Sequence, residues 1–412
     1  MKLTNSISQS SIINDYYQVK QFKVNLGEQQ LSVVAKACLP GWEQPDPVIS
    51  LMTAIFPAES QIKHAHRMLV LGSGNGTLAA YLARLAPTAQ IWATDSTAIS
   101  IVLTSQTALV NNLHNIQVFP DLKDPDSYLS QPGTEQFDTT IILLPKGRKV
   151  ARRWLLHAYQ CLSDTGILYL AGANNEGIQA VAKDVSELIG PANILGYKKG
   201  TRLYRFTKER FEGNLPDWCH EPGISPGTWK EFNYEIHNHA YIIHTLPGVF
   251  SYDHIDEGTR MLLECMEIPT GSDVLDIGCG CGIIGIHAAS LGAGYVHLAD
   301  NHLLSIVSTL ENLRLNHISD ASVYASDLYA NLPDSKYDMI FSNPPFHSGK
   351  AVDYQVAQAL IAHGNLMLNR GGSLIIVANR FIRYEHMMRQ IFGNVKVLQE
   401  DTKYHVLCSE KL

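Results

Sequence analysis

The chain has 412 residues, 45% of them apolar, a formal charge of −7 at pH 7 and seven cysteines. That length calls for two domains. The acidic balance argues against an indiscriminate nucleic-acid binder but leaves room for a local basic face. The cysteines, odd in number and scattered from Cys38 to Cys408, suit a reducing cytoplasm better than a disulfide scaffold.

Met1 to Asn14 lacks a basic head followed by an apolar core, no apolar run approaches membrane-spanning length, and no Cys/His group has zinc-ligand spacing. The expectation is a cytoplasmic protein with no membrane contact and no metal, acting as a monomer. Residues 16 to 60 give weak signals, punctuated by Pro40, Pro45, Pro47 and Pro57. From Arg67 the pattern sharpens. Met68-Leu69-Val70-Leu71 is a short apolar strand running into Gly72-Ser73-Gly74-Asn75-Gly76, and Thr77 to Leu85 reads as a helix. Strand, glycine turn and helix make the first unit of a nucleotide-binding α/β sheet. Ile91 to Asp95 reads as a second strand ending in an acid, Ser100 to Asn111 as a helix, and Phe137 to Leu144 as a further strand running into Pro145-Lys146-Gly147-Arg148.

Two basic clusters stand in this half: Lys146, Arg148, Lys149, Arg152 and Arg153, and then Lys198, Lys199 and Arg202 followed by Arg205, Lys208 and Arg210. Each is either a solvated face or a local basic face able to meet nucleic acid. Phe211 to Trp229, with Pro216, Pro222, Pro226 and several glycines, reads as a linker. The expected organisation is a first domain over residues 1–210, a linker over 211–231 and a second domain over 232–412.

The second half repeats the first. Phe232 to Thr245 alternates as a strand pair would, Asp256-Glu257-Gly258-Thr259 opens a helix, and Val274-Leu275-Asp276-Ile277 enters Gly278-Cys279-Gly280-Cys281-Gly282. Tyr295 to Ala299 ends in Asp300, and Ala325-Ser326-Asp327 closes a third strand. Each of these two acids is either a ligand for a bound nucleoside or a helix cap. Tyr337 to Phe341 is a buried strand running into Ser342-Asn343-Pro344-Pro345-Phe346, and residues 352 to 408 supply helix, strand, helix and a closing strand pair.

Two prolines in succession remove two N–H donors and stiffen a segment that presents carbonyl oxygens. Beside them stand an Asn amide oxygen and an aromatic ring. Such a cup suits a flat ring bearing an NH2 group: Asn343 and the Pro344 carbonyl can each accept one amine hydrogen while Phe346 stacks, with Pro345 fixing the turn. A plain Pro-Pro turn accounts for the prolines equally well. The glycine loop, Asp300, Asp327 and the Asn-Pro-Pro-Phe segment all fall at successive strand ends, hence on one rim of the sheet.

Residues 274 to 282 with 343 to 346 resemble class I S-adenosylmethionine-dependent methyltransferases acting on planar exocyclic amines. With Leu246-Pro247-Gly248-Val249-Phe250-Ser251, Asp256, Gly258, Ser342 to His347, Gly349 and Val377-Ala378-Asn379, the chain is similar to the ribosomal RNA guanine-N2 methyltransferases. The resemblance implies an α/β fold of two tandem Rossmann-like class I methyltransferase domains, the first degenerate and RNA-binding, the second catalytic on a seven-stranded, mostly parallel sheet. It implies S-adenosyl-L-methionine as cofactor, held by Asp276, Gly278, Cys279, Gly280, Gly282, Asp300, Asp327 and Asn343. It also implies ribosomal RNA or a ribosomal subunit as partner, small-subunit RNA first and large-subunit RNA as the alternative. An adenine or glutamine N-methyltransferase would use the same cup, and an RNA-binding assembly protein could keep the shape without turnover.

Overall fold

The computed structural model describes residues 9–37, 39, 41–42, 44–121, 136–209, 214–344 and 351–412, the last stretch with side chains from Tyr354 onward. They form two compact units. The N-terminal unit comprises Val19–Trp229 and Leu246–Gly248; the C-terminal unit comprises Lys230–Thr245, Val249–Leu412 and, from the start of the chain, residues 9–18. Helix α1 (Gln9–Tyr17), placed by the sequence in the first domain, therefore packs in the second.

In the N-terminal unit, β1 (Val19–Leu26) and β2 (Gln29–Lys36) form an antiparallel hairpin, and α2 (Pro47–Ile55) follows. The Asp46 carboxylate accepts the Val48 N–H at 2.6 Å and Pro47 occupies the first turn, two features that start a helix without leaving orphan donors. Strand β3 (Arg67–Leu71), α3 (Thr77–Leu85), β4 (Gln90–Asp95), α4 (Ala98–Val110), β5 (Ile116–Pro120), β6 (Phe137–Leu143), α5 (Arg148–Cys161), β7 (Leu162–Ala173), α6 (Ile178–Leu188), β8 (Asn193–Lys198) and β9 (Thr201–Thr207) build a seven-stranded sheet in the order β5-β4-β3-β6-β7-β9-β8. The first five strands are parallel and β9 pairs antiparallel on both sides. Residues 214–229 are no free linker: Trp218, Cys219 and Ile224 are buried in the core under α5 and α6.

The C-terminal unit repeats this plan. The hairpin of β10 (Lys230–Ile236) and β11 (His239–Thr245) precedes α7 (Glu257–Glu264), capped by Asp256 as α2 is by Asp46. Then β12 (Asp273–Ile277), α8 (Ile283–Ser290), β13 (Tyr295–Asp300), α9 (Leu303–Leu315), β14 (Ala321–Ala325), β15 (Tyr337–Ser342), α10 (Ala351–Met367), β16 (Leu368–Asn379), α11 (Tyr384–Phe392), β17 (Lys396–Glu400) and β18 (Tyr404–Glu410) give the order β14-β13-β12-β15-β16-β18-β17. The central strands are covered on both faces by helices, which is why they read as unbroken apolar runs.

Strand order reverses at β12, so the crevice beyond the carboxyl ends of β12 and β15 is where this topology binds ligands. Register places the motifs there. Ile277 pairs with Ala299 on one side and Ser342 on the other, and Asp300 pairs with Ala325. Gly278, Asp300, Ser326-Asp327 and Asn343 are thus neighbours along one rim.

Candidate active site

The glycine loop after β12 is closed by its own backbone. Gly278 and Cys279 donate their N–H groups to Ala299 O at 2.8 and 3.0 Å, Gly280 donates to Asp300 Oδ2 at 2.9 Å, and Gly282 donates to Cys279 O at 2.7 Å. These four N–H groups are spent within the fold, so the loop offers a ligand space rather than donors. Gly278, at φ +75°, would carry a Cβ into a region with no protein atom within 4 Å; at Gly280 only Phe250 comes near, at 3.7 Å. Gly282 serves packing instead, since a Cβ there would meet Thr309 of α9 at 2.9 Å.

Two sequence candidates for direct cofactor contact take structural roles. Asp276 is 0% exposed, and its Oδ2 accepts the Gly285 N–H of α8 at 3.0 Å, beneath the loop. Burial pushes its carboxyl up to about 7. The Cys279 side chain is buried with its Sγ 3.4 Å from Thr309 Oγ1, and burial raises its thiol pKa well above the ordinary range, so it is neither ligand nor nucleophile. Asp300 remains on the rim and half-buried. Its two oxygens accept from Gly280 N and from His302 N (2.7 Å), which fixes the carboxylate while leaving lone pairs for hydroxyl donors. The Asp327 carboxylate accepts a hydrogen bond from the Tyr16 hydroxyl of α1.

Asn343 follows β15, whose last residue ties the strand to β12: Ser342 Oγ donates to Ile277 O at 2.7 Å. The Asn343 side-chain nitrogen donates to Thr259 Oγ1 at 2.8 Å and reaches Asp256 Oδ1 at 3.4 Å, both at the start of α7. Asp256 is itself held by the Gly258 and Thr259 N–H groups that it caps. With its nitrogen occupied, the carboxamide presents Oδ1 as an acceptor, and among the described residues no donor reaches that oxygen. Sequence reasoning singled out Asn343 but not the partners that orient it, Thr259 and Asp256, because they lie 84 and 87 residues away. Pro345, Phe346, His347 and Gly349 lie outside the described residues.

A rim with an open glycine face, a fixed acid at the second strand end and an oriented amide at the fourth fits a ligand that brings hydroxyl and amine donors close to the glycine backbone. The comparisons agree. Residues 240–408 match the family described as the methyltransferase small domain, and residues 59–221 match its N-terminal domain. Ribosomal RNA small subunit methyltransferase C of Aliivibrio fischeri is 30% identical over 305 residues, covering 72% of this chain and 86% of that protein. The enzyme of the same name from Psychromonas ingrahamii is 31% identical over 279 residues, covering 67% and 76%. The solved T. thermophilus 16S rRNA N2 G1207 methyltransferase, in complex with AdoMet and guanosine, superposes with a TM-score of 0.75 at 26% identity, covering 97% of this chain and 99% of that one.

The chain belongs to the ribosomal RNA small subunit methyltransferase C family.

Both halves of this family chain carry the same loop, and they differ in what stands in front of it. In the N-terminal unit Gly72 and Ser73 donate to Thr94 O, Gly74 donates to Asp95 Oδ2 and Gly76 donates to Ser73 O, the same pattern. A Cβ on Gly72, however, would meet Leu143 O at 3.0 Å and the Trp154 ring at 3.3 Å. Trp154 is buried, its indole N–H on Asp121 at 2.9 Å. The hollow open at Gly278 is therefore filled at Gly72, and by register Val70 stands where Asp276 does and Leu143 where Asn343 does.

The basic clusters divide. Arg153, 1% exposed, is locked on both oxygens of Asp121 at 2.9 Å and cannot reach a phosphate. Arg152 pairs with Asp184 and Glu221 and lies over the Trp218 ring at 5.2 Å, so it fastens residues 214–229 to the unit. These two are corrected from RNA-binding to structural residues. Burial alone would raise the Asp184 carboxyl, but Arg148 and Arg152 more than offset it and hold it below the usual range. Lys146, Arg148 and Lys149 are exposed, Arg148 with two hydrogen bonds to Asp184. Lys198 and Lys199 are exposed at the β8–β9 turn, beside a half-buried Arg202 that donates to Asn174 and lies 5.0 Å from the Tyr197 ring centre. Arg210 lies outside the described residues. No described helix is long and apolar enough to cross a membrane.

Proposed function

We propose that this protein transfers a methyl group to the exocyclic N2 amine of a guanine in 16S ribosomal RNA. The observation that carries the reading is the Asn343 carboxamide, held through its nitrogen by Thr259 and Asp256 at the open rim beside Gly278. S-adenosylmethionine supplies the methyl: a nitrogen–carbon bond forms as the carbon–sulfur bond breaks, the electron pair stays on sulfur, and one N2 proton leaves to water.

The chain's own residues position the acceptor. An exocyclic amine is a weak nucleophile because its lone pair is delocalised into the ring. Acceptance of its two hydrogens by Asn343 Oδ1 and the Pro344 carbonyl draws the nitrogen toward a pyramidal shape and aims the lone pair at the donor. No strong general base is needed. Asp300 takes the ribose hydroxyls, Asp327 the adenine amine, and the Cβ-free face of Gly278 allows close approach. The N-terminal unit, its hollow filled by Trp154 and Leu143, is non-catalytic and holds RNA phosphates through Lys146, Arg148, Lys149, Lys198, Lys199 and Arg202. The enzyme acts as a monomer in the cytoplasm.

Mass spectrometry of nucleosides from RNA and DNA, and of amino acids from protein, each incubated separately with labelled cofactor, tests this. N2-methylguanosine in small-subunit RNA is the expected product; label in adenine or glutamine would overturn the assignment.

A further inference from the structure

The first described helix of the chain docks on the C-terminal unit at the acid closing the third strand. At its start Gln9 Nε2 donates to Ala362 O and to Asn365 Oδ1 of α10, at 2.5 and 3.3 Å. At its end the buried Tyr16 hydroxyl donates to Asp327 Oδ1 at 2.5 Å, across 311 residues of sequence. Tyr17 holds the backbone around the same acid: its hydroxyl accepts the Tyr329 N–H at 3.2 Å and lies 3.5 Å from Asp327 O and 3.4 Å from His363 Nδ1. The Tyr16 and Tyr17 rings meet edge to face at 4.9 Å, and Tyr17 meets His363 the same way at 5.8 Å.

A carboxylate at a strand end has rotational freedom about χ1 and χ2, and a donor on one oxygen removes most of it. Leu328, just after the acid, sits at φ +49°, a conformation that a leucine keeps only when its surroundings impose it. Ser326 Oγ, which donates to Leu328 O at 2.7 Å, and the Tyr17 hydroxyl, which accepts the Tyr329 N–H, bracket this residue, and Tyr17 comes from the other end of the chain. Along the sequence, the N-terminal unit, beginning at Val19, separates α1 from the rest of the C-terminal unit.

We propose that Tyr16 is a positioning residue for the cofactor's adenine: its hydroxyl fixes the Asp327 carboxylate in the orientation that accepts the purine 6-amino group, so the cofactor site is incomplete without α1. This rests on the reading that Asp327 faces the adenine amine, and the test separates the two.

Calorimetry on the full chain would compare S-adenosylhomocysteine with its analogue carrying hydrogen in place of the 6-amino group. Asp327→Ala should weaken the adenosyl ligand and leave the analogue unchanged. Tyr16→Phe should do the same to a smaller degree, about five- to tenfold, the loss of one charge-assisted hydrogen bond. In turnover, Tyr16→Phe should raise the cofactor KM by that factor with kcat at saturation preserved. If Asp327→Ala weakens both ligands equally or neither, the adenine reading fails and the inference with it. If Asp327→Ala is selective for the amine and Tyr16→Phe changes nothing, or weakens both ligands alike as a merely structural latch would, the inference alone is overturned.

Discussion

Replacing Thr259 by valine keeps the volume of a buried side chain and deletes one hydroxyl. That hydroxyl accepts the shorter of the two hydrogen bonds from Asn343, 2.8 Å against 3.4 Å to Asp256. Without it the carboxamide is free to turn over, presenting NH2 where an acceptor is needed. A neutral side-chain hydrogen bond is worth about 1 kcal/mol net, so the ratio of competent to flipped orientations should fall about fivefold, and the rate with it where the two orientations are close in energy. The helix itself should survive, because the Asp256 cap acts on the Thr259 backbone N–H and not on its side chain. Single-turnover methylation of small-subunit RNA with labelled cofactor reads the rate; calorimetry reads cofactor affinity. The expected result is a slower chemical step at unchanged cofactor affinity. A rate within about twofold of the parent, or a loss confined to cofactor binding, would refute the orienting role.

Gly278→Ala should fold, with left-handed backbone strain of about 1–2 kcal/mol, since its Cβ meets no protein atom; because that Cβ enters the ligand hollow, cofactor affinity by calorimetry should fall well beyond what the melting temperature shows. Asp276 keeps its proton to about pH 7 in the fold, whereas an unfolded Asp releases it near pH 4. The folded state therefore binds more protons across that window, and stability falls as pH rises through it. Asp276→Asn, which still accepts from Gly285, should show a flatter decline in melting temperature between about pH 4 and pH 7; parallel curves would contradict the assignment. Arg153→Ala should destabilise by about 3–5 kcal/mol in denaturant melts, because it leaves Asp121 buried without its cation. Lys198→Ala with Lys199→Ala should leave stability intact and lower the salt dependence of RNA affinity; an unchanged slope would return that turn to plain surface.

The parallel sheets were legible because their strands are buried on both faces and so appear as apolar runs such as Met68 to Leu71 and Val274 to Ile277. The glycine turns and strand-end acids marked the rim for the same reason: topology forces them to one edge. The hairpin Val19–Lys36 was not legible, since its first strand alternates Lys and Gln with Val and Phe and carries no turn dipeptide stronger than Leu26-Gly27. With it went the extent of the repeat, which begins at β1 and includes the Asp46 cap. The arginines were misplaced because charge along a sequence says nothing of partners: Asp121 and Asp184 lie 32 to 36 residues from the cations they neutralise. The sequence placed the glycines at the rim without saying where their N–H groups go, and the backbone geometry shows them bonded to Ala299, Asp300 and Cys279. Helix α1 was wholly beyond reach, as its destination is set by tertiary contacts more than three hundred residues away.

The central claim is that Asn343 grips the acceptor amine. Asn343→Ala in the full chain, assayed by N2-methylguanosine formed on small-subunit RNA at saturating cofactor, should lose on the order of 10²–10³ in rate while cofactor affinity stays at the parent value. Turnover equal to the parent's would contradict it.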